Sequence, residues 1–166
     1  MPLLWDDVIE RHAEDLESLT EAELRGLALD IVQATLPLFE PPFPEYFPAD
    51  RAELVRSAVR EVRDLPPGGR PAASFVEDWH ERFDTLPHTP IRPGAGPFTM
   101  AALRLVDAAA EGMSADEALE IASACYESIL VSRLTGRVTR EKEEGDARCR
   151  EAVRVQEEII GRYLNR

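Results

Sequence analysis

Apolar residues recur at three- and four-residue intervals along most of this chain, the period of an amphipathic helix. Leu4, Trp5, Val8, Ile9 and Leu16 share one face and predict a helix over 3–18. Thr20 and Glu23 form a capping box, in which the threonine oxygen accepts from a free amide and the glutamate returns the bond. A second helix follows, turning Leu24, Leu27, Ala28, Ile31 and Leu36 inward until Pro37 stops it. Asp50 with Glu53 repeats the box and opens a third helix, with Leu54, Val55, Ala58, Val62 and Leu65 inward. "PPGGRP" at 66–71 breaks the chain. Ser74 with Glu77 then starts a fourth helix, in which Phe75, Trp79 and Phe83 make one aromatic stripe. After a second proline-rich loop at 86–97, a fifth helix runs from near Thr99 to Gly112. Ser114 and Glu117 open a sixth that reaches about Thr135. Both are apolar over most of their circumference, as a buried central hairpin would be. A last helix covers 139–164, weakened at Gly145 and firm from Ala147 onward. No period-two run and no Asn-Gly or Asp-Gly hairpin turn interrupts this series. The expectation is an all-α protein, a single compact bundle of about seven helices with two Pro-rich loops.

The first of those loops, "LPLFEPPFPEYFP" at 36–48, holds four of the eleven aromatic residues and five of the thirteen prolines. Burying each ring contributes about 2 kcal/mol, and proline lowers the entropy cost of ordering the segment. The loop therefore reads as a lid packed on the helices, with Tyr46 and Phe47 as rings that could remain exposed to a partner. Pro41-x-x-Pro44 fits a polyproline ligand, but Glu40 and Glu45 stand where such ligands carry basic residues.

Charge narrows the function classes. The 166 residues carry a formal net charge of −13, and residues 1–50 hold twelve acids against Arg11 and Arg25. A field of that sign repels nucleic-acid phosphates and anionic lipid and favours a basic partner or none. No apolar run is long enough to span a membrane, and "MPLLWDDVIE" lacks the basic start of a signal peptide. Cys125 and Cys149 have no metal or redox spacing, so a reducing cytoplasm is the expected setting. Lys142 is the one lysine against eighteen arginines, a codon signature of a GC-rich bacterial genome.

The candidate chemistry is sparse. Glu77-x-x-His80 has the one-face spacing of a di-iron ligand pair, but it has no second copy. Gly94-x-Gly96 precedes a helix without the strand or third glycine of a phosphate cradle. "DDVIE" at 6–10 is similar to the aspartate-rich motif of terpene synthases over five residues; the second metal motif of that family is missing, and acids in a helix's first turn account for it. Glu117-x-x-Glu120 is followed, after twenty-two residues, by Glu143-x-x-Asp146. This pattern resembles the paired carboxylates of all-α nucleotide pyrophosphohydrolases. That resemblance implies four carboxylates holding magnesium, which activates water against a phosphate. It covers under a fifth of the chain, and Arg148, Arg150 and Arg154 follow where the family has an apolar run.

The residues favour a non-enzymatic, cofactor-free interaction protein, with an immunity protein or inhibitor that neutralises a basic toxin as the concrete form. Its expected contact residues are Asp6, Asp7, Glu10, Glu14 and Glu17, with Tyr46 and Phe47 as anchors. The magnesium enzyme and a small-molecule-binding helical domain are the alternatives, and a homo-oligomer is left open.

Overall fold

The computed structural model describes residues 4–166, and helices account for nearly all of its regular structure. In chain order they are α1 (Asp6–Leu16), α2 (Glu21–Thr35), a 3-10 turn (Leu36–Leu38), α3 (Phe43–Tyr46), α4 (Ala49–Asp64), α5 (Ala73–Asp84), α6 (Ala95–Glu111), α7 (Ala115–Arg133), α8 (Arg140–Gly145) and α9 (Ala147–Leu164). Among the described residues there is no strand, so the all-α expectation holds. The expected start of the first helix at Leu3 lies outside the described residues.

The count rises from seven to nine for two local reasons. Part of the aromatic loop coils into α3, and the last helix breaks after Gly145. At that break Asp146 is extended, and its Oδ1 accepts from the Arg148 and Cys149 amides, both at 3.0 Å. It is therefore the N-cap of a fresh helix. Thr139 caps the short α8 in the same way, accepting from the Lys142 amide.

Caps decide the other boundaries. The Thr20–Glu23 box is formed in both directions, and Ser114 accepts from the Glu117 amide at 3.1 Å. The expected Asp50–Glu53 and Ser74–Glu77 boxes do not form. Pro48 and Ala72 are the N-cap residues of α4 and α5, which places Asp50 and Ser74 inside the first turn. Asp50 instead accepts from its neighbour's amide at Arg51. Helix α6 starts four residues ahead of Thr99. Pro97 is tolerated there because the first amides of a helix have no intrahelical partner to lose. Thr99 turns inward and donates to the Ala95 carbonyl at 2.6 Å.

Helix α7 is the axis of the bundle, packed against α6, α2, α9 and α1. Helices α6 and α7 pack together and are both rich in small buried residues, among them Ala101, Ala108, Ala109, Ala118 and Ala122. Larger side chains fill the layers beside them: Leu105, Ile121, Ile129 and Ile160 are fully buried. Trp79 of α5 is also completely buried and donates from Nε1 to the Leu54 carbonyl at 3.1 Å, which ties α5 to α4. The 66–71 break is held from below by the buried Arg25, whose guanidinium donates to the Gly69 and Pro66 carbonyls. Arg25 thereby gives the Gly69 carbonyl a partner and adds a second bond to the Pro66 carbonyl, which also accepts the Gly69 amide at 2.8 Å.

Candidate functional site

Helix α1 sorts its side chains sharply. Trp5, Val8 and Leu16 face the bundle and are buried. The Trp5 indole donates to Gln156 Oε1, and Gln156 in turn donates to the Ala122 carbonyl at 2.9 Å, a chain that fixes α1 against α9 and α7. Glu10, Glu14 and Glu17 point the other way and are exposed. Their spacing of four and three residues puts them in one stripe, and none of the three makes an ion pair among the described residues. The other two expected acids differ. Asp6 is half-buried. Asp7 is half-buried and accepts from both terminal nitrogens of Arg140. The Arg140 bond holds its carboxyl below the usual aspartate range. Asp7 thus pins α1 to α8 and is not an open acid.

The stripe ends at a notch that sequence reading missed. Glu17, Glu21 and Asp116 surround an opening of about 380 Å³ whose apolar lining is Leu19, Leu24 and Met113. It lies where the α1–α2 corner meets the α6–α7 corner. Gly112, with φ of +117°, makes the second corner in a conformation that favours glycine. Asp116 reaches the notch from the first turn of α7. No local pattern links it to α1, so only the packing of two remote corners could reveal the grouping. Glu21 also pairs with Arg70, which lowers its pKa and screens one side of the opening. The arrangement can receive the end of one long cationic side chain, with its methylenes on the leucines and its charge among the carboxylates.

Tyr46 and Phe47 are not surface anchors. They are 4% and 3% exposed, and Phe39 and Phe43 are buried with them. The four rings form one cluster with Phe98 of α6. Phe39 lies 4.8 Å from Tyr46 and meets Phe47 and Phe98 edge-on at 5.1 and 5.4 Å. The Tyr46 hydroxyl accepts the Gly94 amide at 2.9 Å and so supports the start of α6. Glu40, just after Phe39, is clamped between Arg133 and Arg148, each at 2.8 Å. The expected lid is packed, and its rings are part of the core.

The four carboxylates of the magnesium reading do not converge. Glu117 and Glu120 lie near the N-terminal end of α7, where the Glu117 amide is engaged by the Ser114 cap and Glu120 pairs with Arg104. Asp146 pairs with Arg133 at the far end of the same helix. At 1.5 Å per residue, the sixteen residues from 117 to 133 separate these ends by about 24 Å. Glu143 is completely buried between them. Its Oε1 accepts from the Tyr126 hydroxyl at 2.6 Å and the Leu4 amide at 3.0 Å, while Oε2 has no partner among the described residues. Burial, reinforced by the bond to Glu143, pushes the Tyr126 hydroxyl pKa up. Among the described residues no group of three or more His, Cys, Asp or Glu side chains could hold a metal ion. Spacing along a helix could place Glu117 and Glu120 on one face, but the break at Asp146 divides the second pair, and spacing could not bring the two pairs together.

The remaining reactive groups have structural surroundings. Burial pushes Cys125 and Cys149 up to about 12, which leaves both as thiols. His80 bonds Asp107 of α6 at 2.6 Å rather than forming a ligand pair with Glu77. No helix among the described residues is long and apolar enough to cross a membrane. No family model matches the chain, and no curated protein or solved structure matches it.

Proposed function

We propose that this protein is a non-enzymatic interaction domain that binds a basic protein through the outer face of α1 and the adjoining notch. An immunity protein or inhibitor covering the cationic surface of a toxin is the form we favour. The observation that carries the reading is the continuity of Glu10, Glu14 and Glu17 with the notch bordered by Glu17, Glu21 and Asp116. Acids predominate there: Arg70 pairs with Glu21 at the notch, and the stripe itself makes no ion pair among the described residues.

The rest of the surface supports a charge-led contact. Met100 is the one exposed large hydrophobic side chain among the described residues, at 41%. A partner would therefore gain little from apolar burial alone, and its affinity would depend on complementary charge and on desolvation at the notch. The net charge of −13 would accelerate the encounter with a cationic partner. Exposed pairs contribute weakly one by one, so several must act together, with one cation seated in the notch as the anchor. The two buried free thiols suit a reducing bacterial cytoplasm, which is the setting we propose.

The test compares the wild type with E10Q/E14Q/E17Q and with D116N as tagged baits in lysate of the native host, washed at low and high salt. The proposal expects a basic protein retained by the wild type at low salt, reduced at high salt, and lost from the triple variant. D116N should weaken retention of the same protein without abolishing it. Equal retention by all three baits, or a captured partner that is acidic, would sink the proposal.

A further inference from the structure

We propose a second, independent site: the groove between α2 and α4 binds a small amphiphilic anion, with a carboxylate or phosphate head and an apolar body. Arg56, Arg60 and Arg63 stand along one wall of this groove, at the four- and three-residue spacing that aligns side chains on a helix. Its apolar lining is Val55, Val59 and Leu36, of which Val55 and Val59 are buried. Gln33 supplies a neutral polar group from α2. The opening holds about 400 Å³, within the usual range of small-ligand sites, roughly 300–1,000 Å³.

The charge arrangement is unusual for this molecule. Acids outnumber basic residues by 32 to 19, yet among the described residues neither Arg56 nor Arg63 makes an ion pair. Arg60 reaches Glu53 only at 3.6 Å, with both side chains more than half exposed. Arg56 lies over the Phe43 ring at 5.3 Å, a contact that orients its guanidinium without neutralising it. Phe43 is fixed in the packed lid, so the lid serves the groove as a support. Three guanidiniums thus line about 10 Å of helix above an apolar floor.

The overall field selects the size of the occupant. A polyanion such as nucleic acid, or an acidic protein, meets repulsion from the whole −13 molecule at many of its own charges. A small anion carries one or two charges and sits within a Debye length, about 10 Å, of the three arginines. Guanidinium pairs bind carboxylate and phosphate bidentately, so the head can be either. Leu36, half-buried at the groove, and the methylenes of the three arginines give an apolar body a surface to cover, which a bare ion would leave wet.

Calorimetric titration of the full chain with octanoate, octyl phosphate, acetate and 1-octanol, all kept below micelle-forming concentrations, tests the site. At least one of the eight-carbon anions should bind once per chain, and comparing the two identifies the head. Acetate and 1-octanol should bind at least about tenfold more weakly. R56Q/R60Q/R63Q should lose about tenfold or more in affinity with an unchanged melting temperature. R11Q/R82Q/R154Q, which removes the same charge from other helices, should bind as the wild type does. Should the groove triple fail to fold, R63Q alone serves, since it breaks no ion pair, and it should still weaken binding. Absence of anion binding by the wild type, equal binding of 1-octanol, or equal loss in the control triple overturns the proposal.

Discussion

Segments 36–48 and 6–17 are of similar length, and each concentrates one kind of side chain, but they meet solvent in opposite ways. The first turns Phe39, Phe43, Tyr46 and Phe47 into the core. Of its two acids, Glu40 is held by two arginines and Glu45 is exposed. The second buries Val8 and Leu16 and leaves Glu10, Glu14 and Glu17 outside, without ion pairs among the described residues. The contrast teaches where stability and recognition are separable here. Aromatic rings gain from leaving water, so a dense aromatic loop supplies folding energy. Carboxylates lose by it, so a carboxylate stripe stays wet and is available for an outside charge.

Breaking the first region should have the largest effect. Phe39→Ala removes a ring that touches Tyr46, Phe47 and Phe98 and should cost about 3–5 kcal/mol in denaturant unfolding. Retention of the basic partner by the remaining folded protein should not change. Gly94→Ala tests how tightly the lid is seated. Its added Cβ would collide with the Ser128 carbonyl and lie 2.9 Å from the Tyr46 hydroxyl. Overpacking of this kind costs about 1–3 kcal/mol, so a fully stable variant would show that the lid is loosely seated.

Acid titration sharpens the comparison from the side of α1. Arg140 depresses the Asp7 pKa. Burial alone would raise Asp146, but the Cys149 amide and Arg133 hold it below its usual value. Both carboxylates therefore contribute stability that is present above the ordinary aspartate value near 3.8 and is lost as pH falls through their lower folded-state values. Denaturant midpoints followed from about pH 5 to pH 2 should fall for the wild type and fall less steeply for D7N/D146N. Identical slopes would refute the linkage. The smallest structural effect belongs to the stripe. E10Q/E14Q/E17Q should leave the melting temperature within about 2 °C of the wild type, because those acids make no ion pair among the described residues. A larger shift would mean that the stripe is part of the fold and not a free surface.

Much of the fold was legible residue by residue. Helical periodicity, the Thr20–Glu23 box, the Ser114 cap and the break near Gly145 each depend on neighbours within four residues, which a chain carries wherever it folds. The two unformed boxes show the limit of that logic. Asp50 and Ser74 had the right residue types, but the chain had already become helical at Ala49 and Ala73. The candidate site was half legible. Glu10, Glu14 and Glu17 could be placed on one face from their spacing, and their exposure followed from the apolar residues opposite.

Composition and order along the chain determined that this protein is helical, acidic and amphipathic, and that its early loop could pay for its own ordering. Tertiary structure alone decided the rest. It buried Tyr46 and Phe47 against Phe98, separated Glu117 and Glu120 from Glu143 and Asp146, brought Asp116 beside Glu17, and set three arginines above a valine floor. Each of these depends on how distant helices pack. Helix geometry fixes which face a residue occupies, and only the contact between helices fixes what that face meets.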